Sequence, residues 1–188
     1  MTAGQYKEII VLRIKIPNNF KLVKTITAPF NQQVVNIKRY QGESKINYNG
    51  PHITIVDDNH GTIHEFSKLI TENNYSLPED KEAQSIAKKI ISNFDPQRFQ
   101  ELVFLEIEDQ VRYFFDKNGQ KNKIPILWIK YKDNDDTFSW VGIAGKGEVV
   151  EYERQAYYDY VNGRGKTEQW ANDDWLLKHK DLLFSKLK

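Results

Sequence analysis

Hydrophobic and polar residues alternate along the first third of the chain. In the run Ile10, Leu12, Ile14, Ile16 the apolar positions are two residues apart, and similar alternations continue to about residue 75. A period of two gives a strand one apolar face. The alternation returns from Leu102 to Glu153 in short runs between turns rich in Asn, Asp and Gly. The pattern predicts an antiparallel β-meander in each part of the chain.

One segment between these regions has helical spacing. Its apolar residues fall on a single stripe: Ala83, Ile86, Ala87, Ile90, Ile91 and Phe94. Ser76 and Glu79 have the spacing of a capping box, and Pro96 ends the segment. The sequence therefore predicts a helix over 79–94 that packs on the downstream sheet.

The tail after residue 154 is aromatic, and Asn172 is a suitable N-cap for a last helix. The predicted fold class is α+β, with antiparallel β-meanders, one amphipathic helix packed on the sheet and a helical aromatic C-terminal tail. Three units follow from this division: an N-terminal β-unit over 1–75, a helix with a meander over 76–154, and a tail over 155–188 that packs on the sheet.

Two hairpins share a pattern of apolar residue, any residue, Glu and aromatic residue. When Gly61 is aligned with Gly147, Glu65 falls on Glu151, and the other matched pairs are Ile63 with Val149 and Phe66 with Tyr152. Two interpretations stay open: an internal duplication that gives tandem halves, or a chance likeness of two hairpins.

Composition and charge limit the chemistry. The absence of cysteine excludes disulfides, thiolate nucleophiles and sulfur-ligated zinc. The net charge is +1, but residues 1–50 hold eight basic and two acidic side chains. This excess either offers a basic face to a polyanion or attracts the acidic remainder of the chain; the second interpretation is favoured, because strands normally place Lys and Arg on a solvated face.

The start of the chain has no basic segment followed by an apolar core, and no run of 18 apolar residues occurs. We therefore expect no transmembrane segment. The predicted location is cytoplasmic as the chain is written, and exported if a leader has been removed. The sequence does not determine the oligomeric state.

The chain does not match the known catalytic and metal-binding motifs that were compared with it. Lys68 stands where a metalloprotease helix needs its second histidine, and Phe138 stands where a calcium loop needs glycine. Depending on strand register, His52 and His64 face each other and form a small metal or acid–base cluster with Asp57 or Asp58. The favoured alternative is exposed turn and edge-strand histidines, so no metal, cofactor or catalytic residue is predicted.

Aromatic residues are the remaining signal, at 13% of the chain. Stacked rings with guanidinium groups bind sugars, peptides or single-stranded nucleic acid. The alternative, which is favoured, is that the rings anchor the tail on the sheet, with Arg154 paired to Glu151 or Glu168. The candidate ligand-binding residues are Trp140, Tyr152, Arg154, Tyr157, Tyr158, Arg164, Trp170 and Trp175. No RNA-binding strand motif is present, so the sequence gives no strong nucleic-acid signal.

The segment 79–153 resembles PepSY-like domains and the related YcdB/YcdC repeats. Those domains begin with an E-x-A-x-x-I-A helix and end with a T-G-E-V turn between two strands; here Lys146 precedes Gly147, Glu148 and Val149. The stretch from Phe138 to Trp175 is also similar to a group of uncharacterised proteins of lactic-acid bacteria. The resemblance implies a scaffold without catalytic residues, and a role in restraining peptidases or binding at the cell envelope.

The leading functional prediction is a non-enzymatic binding or interaction module for a peptide, a protein or an envelope component. A small hydrolase of glycans or peptides that uses Asp, Glu and His is the first alternative, and polyanion binding through the basic N-terminal region is the second. A cleft with several carboxyl groups of raised pKa would count against the non-enzymatic prediction.

Overall fold

One antiparallel sheet of eight strands forms the framework of the protein. The computed structural model describes residues 14–70, 75–159 and 164–184. The sheet has the order β1-β2-β3-β4-β8-β7-β6-β5. Its strands are β1 (Lys21–Phe30), β2 (Gln33–Gln41), β3 (His52–Asp57), β4 (Ile63–Leu69), β5 (Val103–Phe115), β6 (Lys121–Lys132), β7 (Phe138–Ala144) and β8 (Glu148–Ala156). The short strands β9 (Tyr158–Asp159) and β10 (Arg164–Gly165) pair with each other, and the helices are α1 (Asp80–Phe94) and α2 (Asp173–Lys178).

The two predicted meanders join edge to edge. Strands β4 and β8 pair antiparallel, with Phe66 opposite Tyr152. The fold is therefore mainly β, and the predicted α+β class with tandem PepSY-like halves is wrong. The apolar stripe at 79–94 does form a helix, but strands supply most of the buried surface because both meanders contribute to the same sheet. Within the described ranges, no helix is long and apolar enough to cross a membrane.

Helix α1 packs on one face of the sheet. Its buried residues Ala83, Ala87 and Ile91 lie in the same core as apolar residues of the central strands, among them Ile129 and Val141. The helix follows Glu79, whose side chain makes no capping hydrogen bond, so the predicted capping box does not form. The stripe of small and branched residues lets the helix lie close to the strands.

The C-terminal tail covers the opposite face of the first meander. Trp170, Leu176 and Leu183 share a core with Phe30 and Ile37 and their neighbours. The indole Nε1 of Trp170 donates to the carbonyl oxygen of Pro29 at 2.7 Å, so its one polar atom is satisfied. The predicted N-cap forms at the start of α2, where the Asn172 side chain accepts from two backbone N–H groups.

On this same face the second meander curls inward. The backbone N–H of Phe115, at the end of β5, donates to the carbonyl oxygen of Asn49 at 2.7 Å, although Asn49 precedes β3. The interior of the curl is filled by Phe114, Ile124 and Val150. The curled strands and the tail leave a cleft between them, over the junction of β4 and β8.

Candidate functional site

The cleft has a volume of about 660 Å³ and lies on the face opposite α1. Its floor comes from β4, β7 and β8, one wall from β5 and β6, and the other wall from the tail. A cavity of this size accommodates a small organic ligand.

Two carboxyl groups face each other at the floor of the cleft. Glu65 of β4 is directly opposite Glu153 of β8, and their side chains are 1% and 8% exposed. Glu65 Oε2 accepts a hydrogen bond from the backbone N–H of Ala171 at 2.7 Å. In the part of the chain that the structure describes, Oε1 of each group is buried without a hydrogen-bond partner. Two facing carboxyl groups satisfy such oxygens for one another only by sharing a proton.

Burial changes the ionisation of this pair. Burial raises the pKa of Glu65 to about 8, against the opposing effect of the Ala171 N–H, while the charges of Glu168 and Glu151 raise it further. Burial also raises the pKa of Glu153 well above its usual range, helped by the charges of Glu65 and Glu151. Among the described residues, Glu65 is the member of the pair that accepts a backbone N–H, which favours its ionised form and makes Glu153 the better holder of a proton at neutral pH.

A third carboxylate lies two residues before Glu153 on the same strand. Glu151 forms a two-point ion pair with Arg112 of β5, in which Nη2 lies 2.9 Å from Oε1 and Nε donates to Oε2. Arg112 also donates to Gln110 at 2.8 Å. The curl of β5 thus places the guanidinium group of Arg112 beside Glu151. Among the described residues, Glu65 and Glu153 form no ion pair with a guanidinium group.

Two indole rings form an aromatic patch next to the carboxyl pair. Trp140 is directly opposite Glu153 in the β7–β8 register, and its ring centroid is 5.0 Å from that of Trp128. Among the described residues, Trp128 Nε1 has no hydrogen-bond partner. Lys130 Nζ lies 5.4 Å from the centre of the Trp128 ring. The cleft therefore combines an apolar aromatic surface with several hydrogen-bonding groups.

A serine and a histidine also meet at the cleft. Ser67 Oγ lies 3.4 Å from His52 Nε2, and His52 Nδ1 lies 2.7 Å from the carbonyl oxygen of Gly50. Burial lowers the pKa of His52 to about 4, so the ring is neutral at pH 7 and donates its single N–H to Gly50. A long Ser67 contact to so weak a base positions the hydroxyl group without activating it as a nucleophile.

The predicted histidine cluster does not form. His52 is opposite Leu69 in the β3–β4 register, and His64 lies instead near Asp58, with Nε2 3.4 Å from Oδ2. Both histidines are 2% exposed, so the alternative of exposed histidines is also wrong for them. No group of three or more His, Cys, Asp or Glu side chains in the described ranges could hold a metal ion.

Four of the candidate binding residues contribute to the lining of the cleft: Trp140, Tyr152, Tyr157 and Tyr158. The Tyr152 ring belongs to the core on the α1 side, where it packs edge-on against Phe94 with centroids 5.1 Å apart.

The other candidates lie elsewhere. Trp170 is fully buried, and Trp175 packs edge-on against it, with centroids 4.8 Å apart. Arg154 pairs with Asp95 at 2.9 Å, and not with Glu151 or Glu168 as predicted, because alternate residues of β8 point to opposite faces. The Arg164 side chain falls outside the described residues.

The sequence interpretation did not identify the carboxyl groups, Arg112 or Trp128 as site residues. One signal was present, since the hairpin pattern aligned Glu65 with Glu151, each directly before an aromatic residue. Acidic residues at such positions indicate either a solvated face or a buried polar site. Comparisons with protein-family models, curated proteins and solved structures gave no match, so the function is inferred from the geometry of the cleft.

Proposed function

We propose that this protein is a binding module whose cleft takes a neutral, hydroxyl-rich ring ligand, that is, a saccharide. The observation that carries the proposal is the buried pair of Glu65 and Glu153, whose Oε1 atoms lack partners among the described residues, directly beside the exposed side of an aromatic patch. Such a ligand belongs to the envelope components that the sequence interpretation favours.

The chemistry of the cleft matches a sugar ring. The C–H face of a pyranose is apolar and can lie on the Trp140 indole, where contact removes apolar area from water. Its hydroxyl groups both donate and accept hydrogen bonds, which suits carboxyl and amide groups such as Glu153 and Gln110. Leaving a buried polar group unsatisfied costs about 1–3 kcal/mol, so a ligand that supplies the missing partner gains affinity.

A polyanion fits this cleft poorly. Arg112 and Lys130 are the basic residues of its lining, against six acidic ones: Glu65, Glu108, Glu151, Glu153, Asp173 and Asp174. Phosphate groups would meet like charges or protonated carboxyl groups.

The basic N-terminal region also gives the polyanion alternative little support. Lys38 is paired with Asp57, and the guanidinium of Arg39 is buried against Asp173. Both acidic partners lie in the acidic remainder of the chain, which favours the interpretation that the two parts attract each other.

Intrinsic fluorescence tests the proposal, because two of the four tryptophans lie in the cleft. The unaltered protein is titrated with cello-, chito-, xylo- and manno-oligosaccharides, and binding is checked by calorimetry. We expect at least one series to change the emission and to release heat, and Trp140→Ala to weaken that binding at least tenfold.

Phe104→Ala is the matched control, since it removes a 39% exposed ring outside the cleft. It should bind like the unaltered protein. Absence of binding to all four series, or full binding by Trp140→Ala, would overturn the proposal.

A further inference from the structure

We infer that the cleft also hydrolyses a glycosidic bond of the saccharide, with Glu153 as the acid and Glu151 as the carboxylate that assists water. This inference rests on the proposed saccharide binding and adds an activity to it. Two side chains on one strand, two residues apart, provide the geometry.

The spacing of the two groups suits a glycosidic bond. Residues two apart on a strand point to the same face, and their Cα atoms are about 7 Å apart. Carboxyl groups that cleave glycosides are separated by about 5–9.5 Å, which leaves room for the bond and, at the longer separations, for a water molecule. Side chains that leave a strand about 7 Å apart on one face can place their carboxyl groups within that range. Both groups line the same cleft.

Glu153 and Glu151 have different neighbours, as an acid and a carboxylate that assists water require. Glu153 is buried, and no side chain in the described ranges forms an ion pair with it, so it keeps a proton. Glu151 receives two N–H groups from Arg112. Pairs of carboxyl groups whose environments separate their ionisation are typical of acid and base partners.

Opposite residues on the neighbouring strands complete the arrangement. Trp140 is opposite Glu153 and offers its ring to the sugar next to the acid. Gly142 is opposite Glu151, and the Glu151 side chain lies over the space that a Cβ would take. Glu65 is a positioning residue, because it faces Glu153 across the strand pair while the Ala171 N–H holds it in place.

The reaction balances with water as the only co-reactant. Glu153 gives its proton to the glycosidic oxygen while the bond between that oxygen and the anomeric carbon breaks, and the electron pair leaves with the oxygen. The oxygen of a water molecule bonds to the anomeric carbon and loses a proton to Glu151. Solvent then returns the proton from Glu151 to Glu153.

The test measures hydrolysis and binding on the same proteins. Saccharides that bind in the fluorescence titration are assayed for new reducing ends, and the corresponding 2,4-dinitrophenyl glycosides for release of the phenol. We expect Glu153→Gln to lower oligosaccharide hydrolysis at least about 100-fold. The same variant should slow the dinitrophenyl substrates much less, because dinitrophenolate leaves without a proton, and Glu151→Gln should slow both.

Controls separate the two proposals. Glu148→Gln changes the same strand outside the cleft and should hydrolyse at the unaltered rate. Saccharide that binds the unaltered protein but is never cleaved overturns the hydrolysis and leaves the binding in place, whereas no binding overturns both. Full activity of Glu153→Gln also overturns the assignment.

If a variant does not fold, the pH–rate profile of the unaltered protein tests the assignment of Glu153 as the acid. Loss of activity towards alkaline pH supports an acid of raised pKa, and activity that stays constant there contradicts it.

Discussion

Glu65 and Glu153 face each other across the pair of strands that joins the two meanders, and both are buried. Like charges at directly opposed positions of a sheet destabilise it. The pair is tolerated because burial holds at least one proton between the two groups. The junction of the sheet and the floor of the cleft therefore depend on the same ionisation.

Stability should fall as the pH rises from about 7.5 to about 8.5. The folded protein keeps the proton of Glu65 up to about pH 8, whereas the unfolded chain releases it near pH 4.5, so unfolding releases a proton in this window. We expect the free energy of unfolding to fall by up to about 1.4 kcal/mol per pH unit for one proton. Urea unfolding at several pH values measures it.

The window starts at about pH 7.5 because of the histidines. Burial lowers the pKa of His52 to about 4 and also lowers that of His64, so the unfolded chain binds more protons at these two residues until roughly pH 7.5, and their effect, a gain of stability with rising pH, is complete only there. Glu65→Gln should make the slope above about pH 7.5 shallower and stabilise the protein at pH 8, although the slope should not vanish because burial also raises the pKa of Glu153, while Glu148→Gln should keep the slope. An equal slope in Glu65→Gln would contradict the shared proton.

Asp173→Asn should loosen the tail from the sheet. The Asp173 carboxylate accepts from Arg39 Nη2 at 2.7 Å and from the backbone N–H of Asn49 at 2.6 Å, and both charged groups are buried. Removing one partner of a buried ion pair leaves the other charge unpaired, which costs about 3–5 kcal/mol. Urea unfolding measures the loss, and limited proteolysis should cleave the tail sooner.

Asp174→Asn is the control for this change, because Asp174 is the next residue in the chain and is exposed. It should lower stability by less than about 1 kcal/mol. Equal losses in the two variants would show that the buried pair does not hold the tail.

Substitution of Trp170 should mainly lower stability, whereas substitution of Trp140 should mainly weaken saccharide binding. Trp170→Ala removes a fully buried ring together with its hydrogen bond to Pro29 and should cost about 3–5 kcal/mol of stability. Trp140→Ala removes a half-buried ring at the cleft, so it should cost less stability and lose saccharide binding. Thermal unfolding and calorimetric titration test this contrast. A greater loss of stability in Trp140→Ala, or a loss of binding confined to Trp170→Ala, would contradict these assignments.

Gly142→Ala should disturb the cleft through Glu151. A Cβ at this position would lie 2.9 Å from Cβ of Glu151 and 3.1 Å from Cδ1 of Ile126. Both neighbours have to move, so we expect a loss of about 1–3 kcal/mol and slower hydrolysis as Glu151 shifts from Arg112. Gly42→Ala is the control, since its nearest atom would be 3.7 Å away. Full activity of Gly142→Ala would contradict a fixed place for Glu151.

Local patterns predicted the elements but not their assembly. The stripe at 79–94 predicted α1, and the period-two runs after residue 20 predicted strands, because both patterns depend on neighbours close in sequence. The run that starts at Ile10 lies mostly outside the described residues, and its described part, 14–16, is not a strand. The same patterns led to a wrong fold class, since alternation assigns a face to each residue but does not name the partner strand.

The sequence by itself determined which residues of each strand share a face, where a helix forms and that no thiol chemistry is available. Only the tertiary structure decided that β4 pairs with β8 and that the curl of β5 brings Arg112 to Glu151. Pairing between distant strands depends on how the whole chain buries its apolar surface. Buried acids from separate meanders became a site because the joined sheet removed them from water together.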